Sequence, residues 1–121
     1  MDLKAADIMI HDPVTATPSE IIASAKLKME RQGLGGLPVI ERGRLVGIIT
    51  HRDTILTGKR SQKIKVGDIM TRDVLTIKKD TDYYEIAAIM KKTGLQRLPV
   101  VSGEKLIGLV TQSCVINALV K

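Results

Sequence analysis

The order of hydrophobic and polar residues changes in the same way twice along the chain. A short β-branched segment at 14–18, and again at 74–77, precedes a stretch with helical spacing of apolar residues. Two apolar segments follow, joined by a short polar turn typical of a β-hairpin. A second helical stretch ends each series. The pattern therefore predicts a β-α-β-β-α unit that occurs twice.

Cap and turn residues set the expected bounds of these elements. Ser19 and Asp80 are typical N-cap residues for the first helices, which would run to about residues 31 and 92. Gly33 and Gly94 are suited to end them, because glycine readily adopts a left-handed conformation. The expected hairpin strands are 36–40 with 45–50 and 97–101 with 105–111, and the second helices are 51–56 and 112–120.

The two series share one register. Aligning Asp7-Ile8-Met9 with Asp68-Ile69-Met70 gives an offset of 61 residues, which then holds without a gap into the second helices. A repeat of this length is one supersecondary unit whose apolar face must be covered, so we expect the two copies to share one core. The predicted repeats are residues 1–60 and 61–121, together forming one module.

The composition limits the class of protein. With 121 residues, 44% hydrophobic and 26% charged, the chain has no apolar run near the roughly 20 residues that a membrane span needs. No secretory signal follows Met1. We therefore expect a cytoplasmic protein that does not enter a membrane.

Residues for catalysis or metal binding are few. The single cysteine, Cys114, excludes an intrachain disulfide, and the two histidines, His11 and His51, lack the spacing of zinc ligands. Cys114 has no histidine partner in its motif, and the sequence shows no Walker loop and no paired carboxylates. We expect no catalytic residues, no metal site and no cofactor, and hence not an enzyme.

The charge favours anionic partners. The net charge of +6 and the pI near 9.6 suit nucleotide phosphates, nucleic acid or acidic proteins, although scattered basic residues are also typical of a solvated surface. A basic nucleic-acid-binding or scaffold protein is the alternative interpretation. The chain has no Trp or Phe and only two Tyr, which disfavours binding of single strands by stacking.

A strand-to-helix turn carries the most specific chemistry. The segment from Gly47 to Asp53 recurs, altered, from Gly108 to Cys114, with a threonine before each helix. Only the first copy has an aspartate. An ionised carboxylate accepts hydrogen bonds and donates none, which suits the two hydroxyls of a sugar. The two copies are therefore expected to form unequal sites.

Three motifs occur in both copies: D-I-M, G-x-x-x-L-P-V and G-h-h-T-x-x-D, where h is hydrophobic and the last motif is complete only in copy one. Together they resemble a tandem pair of cystathionine β-synthase (CBS) domains, or Bateman module, over essentially the whole chain. The resemblance implies an α+β fold, the α/β-type CBS fold, in which two β-α-β-β-α repeats pack sheet to sheet about a pseudo-twofold axis and leave two clefts. Such modules usually form homodimers. Many bind AMP, ADP, ATP or S-adenosylmethionine as sensors, here expected to regulate a partner protein in trans.

The resemblance also assigns binding residues. Asp53 matches the aspartate that accepts both ribose hydroxyls, and Thr50 and Thr111 match hydroxyls that contact ribose or phosphate. Arg97 matches a phosphate anchor, which His51 and Arg52 would support at a helix start. Further residues would supply apolar walls and backbone groups for the base, and the prolines of the two L-P-V motifs belong with them. These residues are Val14, Thr15, Ala16, Pro38, Leu75, Ile77 and Pro99.

Cys114 stands where the second copy would carry the ribose aspartate. A neutral thiol is a weak donor and acceptor, so the second cleft is expected to bind ribose poorly or to bind something else. A buried small apolar side chain is the favoured interpretation of Cys114 over a redox sensor.

Overall fold

A computed structural model describes residues 2–120, which gather into two compact units. We call Val14–Val74 the central unit. The described residues up to Pro13, together with those from Leu75 onward, form the terminal unit. Each unit combines helices with an antiparallel hairpin, so the expected α+β class is confirmed. No helix within residues 2–120 is long and apolar enough to cross a membrane.

The elements follow one another in a repeating order. In chain order they are α1 (Ala5–Ile8), β1 (Ile10–His11), α2 (Ile22–Gln32), β2 (Gly36–Glu41), β3 (Arg44–Thr50), α3 (His51–Leu56), a 3-10 helix (Gly58–Gln62), α4 (Val66–Ile69), α5 (Tyr83–Thr93), β4 (Arg97–Ser102), β5 (Lys105–Thr111) and α6 (Gln112–Leu119).

The central unit is built on the β2–β3 hairpin. Its antiparallel register runs from Gly36 opposite Thr50 to Glu41 opposite Arg44. Helices α2 and α4 supply apolar side chains that pack with those of the hairpin. The buried core consists of Ala16, Ile22, Ala25, Met29, Leu37, Val39, Ile49, Val66 and Met70.

The terminal unit repeats this plan with β4 and β5, and β1 adds a short strand with Ile10 opposite Leu109. The hydroxyl of buried Tyr83 donates to the backbone oxygen of Val115 at 2.6 Å, which ties α5 to α6. The core consists of Ala5, Ile77, Tyr83, Ile86, Met90, Leu98, Val100, Val110 and Val115. The expected single shared core is therefore wrong, because each unit buries a cluster of its own.

The first strand predicted in each copy is reduced to one bridging residue. Ala16 pairs in parallel with β2: its N–H donates to the oxygen of Pro38 at 3.0 Å, and its oxygen accepts from Ile40 at 2.9 Å. Ile77 pairs in the same way with β4. The strand stops there because the next four residues form a turn, closed at Thr17 and Glu20 in the first copy.

The same turns explain why the predicted N-caps, Ser19 and Asp80, are wrong. The N-caps of α2 and α5 are Ile21 and Asp82, two residues later in each copy, and the side chain of Asp82 accepts the N–H of Tyr84 at 3.0 Å. The predicted ends are confirmed, because Gly33 and Gly94 adopt left-handed conformations. Both hairpins are confirmed to within one residue at each end, α3 matches its prediction, and α6 ends one residue early.

Two short helices were not predicted, and they shift the compact units relative to the sequence repeats. Helix α4 belongs to the second sequence repeat yet packs in the central unit, where Val66 N–H donates to the oxygen of Glu20 at 2.8 Å. Its counterpart α1 packs in the terminal unit, where Ala5 N–H donates to the oxygen of Thr81 at 2.9 Å. Each D-I-M segment thus packs with the hairpin of the other repeat.

Candidate functional site

The start of α3 fixes the carboxylate of Asp53. The N–H of Asp53 donates to the hydroxyl of Thr50 at 3.3 Å, and the N–H of Thr50 donates to Oδ2 of Asp53 at 2.9 Å. This reciprocal pair is a capping box. His51 N–H donates to the oxygen of Gly35 at 2.8 Å, so the strand end is tied to the residue before β2. Among the described residues, no donor bonds to Oδ1 of Asp53.

Asp53 lines a pocket of about 350 Å³, which we call the Asp53 pocket. Its volume is at the lower end of the range for small-molecule sites. Asp53, Leu56 and Thr57 are spaced three and four residues apart, so they share one face of α3. The full lining is Asp53, Leu56, Thr57, Arg60, Ile64 and Ile69. Arg60 was not predicted as a site residue, because only the fold brings it beside Asp53.

The terminal unit repeats the helix start without the carboxylate. The hydroxyl of Thr111 accepts the N–H of Cys114 at 3.2 Å, and it also contacts the sulfur of Cys114 at 3.2 Å. A pocket of about 690 Å³, the Cys114 pocket, lies beside it. By the 61-residue offset, its residues Ile8, Cys114, Asn117 and Ala118 replace Ile69, Asp53, Leu56 and Thr57. The full lining is Asp2, Leu3, Asp7, Ile8, Cys114, Asn117 and Ala118.

The residues expected to meet the base lie along the hairpins. Ala16 is buried against β2 and uses both its backbone groups there, and Pro38 is buried opposite Ile48. Val14 and Thr15 are partly buried. In the terminal unit Ile77 and Pro99 are buried in the matching positions, whereas Leu75 is 44% exposed.

A second unpredicted residue acts on this segment. The ammonium of Lys28 donates to the backbone oxygen of Thr15 at 2.6 Å and pairs with Glu20 at 2.9 Å. Burial raises the pKa of the Glu20 carboxyl, but hydrogen bonds from Ser24, Lys28 and Thr17 together bring it below its ordinary value. The spacing of Glu20, Ser24 and Lys28, four residues apart, is the signal that would have revealed this network.

The predicted phosphate contacts fall into separate units. Arg97 begins β4 opposite Thr111, so these two lie together in the terminal unit. Burial lowers the pKa of Arg97, and no carboxylate in the described part of that unit pairs with it. In the central unit, Nε2 of His51 lies 3.8 Å from a carboxylate oxygen of Glu30, and Arg52 is exposed. A phosphate bound at His51 would have to compete with this contact.

Comparison with known proteins identifies close relatives in sequence. Inosine-5'-monophosphate dehydrogenase of Methanocaldococcus jannaschii is 38% identical over 110 residues, which are 89% of this chain and 22% of that protein. The chain thus spans about a fifth of the dehydrogenases that it matches. The uncharacterized protein YlbB of Bacillus subtilis is 33% identical over 89% of this chain and 76% of its own length.

Solved structures share the fold over nearly the full chain. CBSX2 in complex with AMP is 28% identical with a TM-score of 0.88, covering 98% of this chain and 96% of that one. The CBS domain pair of protein MJ0100, in complex with 5'-methylthioadenosine and S-adenosyl-L-methionine, has the same identity and TM-score and covers 98% and 97%. The CBS domain profile matches residues 5–56 and 66–121. The chain therefore belongs to the CBS domain family and carries two CBS domains in tandem.

Proposed function

We propose that this chain is a regulatory CBS pair, without catalytic activity, that binds an adenosine-containing ligand chiefly at Asp53. The observation that carries the proposal is the capping box of Thr50 and Asp53. It holds a half-buried carboxylate in place and leaves one oxygen without a donor among the described residues. The AMP complex of CBSX2 and the S-adenosyl-L-methionine complex of MJ0100 support this ligand class.

The chemistry at Asp53 suits a ribose. Two adjacent hydroxyls donate two hydrogen bonds, and a carboxylate can accept both. Each such charge-assisted bond contributes roughly 1.5–3 kcal/mol, so loss of both weakens binding about a hundredfold or more. Cys114, a neutral thiol at the matching position, does not provide these acceptors. The Asp53 site is therefore the stronger of the two.

Regulation requires that the ligand bind two arrangements of the protein with different affinities. We propose that these are two geometries of a homodimer that acts on a partner protein in trans. Exposed apolar side chains on the second helices support an interface between chains. They include Ile55, Leu56, Ile116 and Leu119, which are 53–77% exposed.

Calorimetric titration with AMP, ADP, ATP and S-adenosylmethionine tests the proposal. We expect at least one ligand to bind at submillimolar concentration. Asp53→Asn keeps the size of the side chain and its ability to cap α3, but it removes the charge, so it should weaken binding by tenfold to a hundredfold. Cys114→Ser is the matched control and should leave binding unchanged.

Two outcomes would contradict the proposal. If none of the four ligands binds at submillimolar concentration, the chain is not an adenosine sensor. If Asp53→Asn binds as tightly as the wild type, the site lies elsewhere.

A second function is favoured by the distribution of charge. The central unit holds eleven Lys or Arg against six Asp or Glu, whereas the terminal unit holds eight against seven. Lys59, Arg60, Lys63 and Lys65 are exposed in one segment. Nucleic-acid binding through this segment predicts retardation of DNA or RNA that weakens steeply with salt. Absence of retardation at low salt removes this alternative.

A further inference from the structure

Arg60 enters the Asp53 pocket because the chain turns after α3. Gly58 has a φ of 53°, a left-handed conformation that glycine adopts without strain. The 3-10 helix Gly58–Gln62 follows, and the N–H of Arg60 donates to the oxygen of Thr57 at 3.0 Å. The turn thereby places Arg60 among the residues that line the Asp53 pocket.

The two charged groups have opposite hydrogen-bonding abilities. A carboxylate only accepts hydrogen bonds, whereas a guanidinium only donates them, in a fork that fits a phosphate. The remaining walls are mostly apolar, with Leu56, Ile64 and Ile69. A ligand that satisfies both groups must carry hydroxyls near Asp53 and an anion near Arg60. A nucleotide has both, and a nucleoside has only the hydroxyls.

The arrangement is specific to Arg60 and to this pocket. Lys59 and Lys63 lie in the same segment and are exposed, but neither lines the Asp53 pocket. In the Cys114 pocket the charged residues are Asp2 and Asp7, which would repel a phosphate. The basic segment as a whole therefore does not line the Asp53 pocket, and among its three residues named here only Arg60 does.

We propose that Arg60 contacts the phosphate of a nucleotide bound at Asp53. The inference rests on the proposed adenosine site and narrows its ligand to adenine nucleotides over uncharged adenosine. Arg97, His51 and Arg52 were the phosphate contacts that the family resemblance implied. Arg60 adds one that lies in the same pocket as the ribose carboxylate.

The test compares AMP with adenosine by calorimetric titration of Arg60→Gln and of the matched control Lys59→Gln. We expect Arg60→Gln to weaken AMP binding by about tenfold or more and to change adenosine binding by less than about twofold. Lys59→Gln should change AMP binding by less than about threefold, through the general field alone. Arg60→Lys should give an intermediate loss, because an ammonium lacks the fork.

Several results would overturn the inference. Equal losses of AMP affinity in Arg60→Gln and Lys59→Gln would reduce the effect to surface charge. An equal loss for adenosine and AMP would show that Arg60 supports the pocket without contacting phosphate. The wild type could bind adenosine as tightly as AMP, with both affinities dependent on Asp53. That result would support the adenosine site and contradict the role of Arg60. If neither compound binds, both proposals fail.

Discussion

The helices that follow the two hairpins, α3 and α6, begin after equivalent threonines that have different partners. Thr50 and Asp53 bond reciprocally, whereas the hydroxyl of Thr111 accepts the N–H of Cys114 and contacts its sulfur. Helix α6 begins without a carboxylate at this position, so a helix start of this kind does not require one. No donor among the described residues bonds to Oδ1 of Asp53, and we therefore expect this oxygen to be available to a ligand.

The pockets beside these helix starts differ in charge as well. The Asp53 pocket combines a carboxylate with a guanidinium, whereas the Cys114 pocket combines a thiol with two further carboxylates. We therefore expect the two pockets to favour ligands of different charge. Substitutions at positions 61 residues apart test how far this divergence extends.

The largest effect is expected at the shared glycines. A Cβ on either glycine would clash with a methionine side chain, that of Met70 at Gly47 and that of Met9 at Gly108. The sites differ in the backbone oxygen, because a Cβ on Gly47 would lie 2.8 Å from that of Thr71 and a Cβ on Gly108 would lie 3.1 Å from that of Ile10. Gly47→Ala should therefore lower the free energy of unfolding by about 2–3 kcal/mol, and Gly108→Ala by about 1 kcal/mol. Urea denaturation measures both, and equal losses would show that the two strands are packed alike.

Cys114→Asp should bring the terminal unit closer to the central one. The new carboxylate can accept the N–H of Thr111 and offers acceptors to a ribose. The terminal unit should therefore bind adenosine about tenfold more tightly than in wild type and count as a second site per chain. AMP should gain less, because Asp2 and Asp7 line that pocket. Calorimetric stoichiometry measures the change, and an unchanged value would mean that the pockets differ in more than this residue.

Tyr83→Phe tests a difference between the cores. Tyr83 bonds to the oxygen of Val115 in α6, and its counterpart Ile22 is purely apolar. Removing the hydroxyl should lower the free energy of unfolding by about 1 kcal/mol. It should also speed hydrogen exchange of α6 amides while leaving α3 unchanged. Unchanged exchange in α6 would show that Tyr83 contributes by packing alone.

The smallest effect is expected from Lys28 and Glu20, whose counterparts are Ile89 and Thr81. The folded-state pKa of Glu20 is lowered, so its stabilising contribution is present above the ordinary value of 4.5 and is lost as the pH falls through the folded-state pKa. Lys28→Met should cost less than about 1 kcal/mol at neutral pH, and the cost should shrink in acid. The free energies of unfolding of the wild type and of Lys28→Met, measured from pH 3 to 6, check this prediction. A difference between them that stayed constant over this range would contradict it.

The sequence predicted the parts of the fold whose signals are local. Both hairpins were predicted to within one residue at each end, because a polar turn between apolar segments is decided within a few residues. Helix α3 was predicted with its bounds, since Thr50 is a strong cap. Helices α1 and α4 were missed because four residues are too few to show periodicity.

Other features depend on backbone conformation that residue type alone does not give. Ser19 is a typical cap by residue type, but the turn that closes at Glu20 delays the helix. The placement of Arg60 beside Asp53 and the contact of Lys28 with Thr15 need the folded chain. Asp53 and Thr50 could be selected from the motif, and their separation of three residues is the spacing of a capping box, a local signal of their mutual bonding.

Each D-I-M segment packs with the hairpin of the other repeat, and this arrangement affects the order of folding. The central unit is one continuous segment, so its contacts can all form once residue 74 has left the ribosome. The terminal unit joins residues up to Pro13 with residues made more than 60 positions later, and closing so long a loop is slow. We expect α1 to lack its packing partners during synthesis, so that Ala5 stays exposed until β5 and α6 have been made.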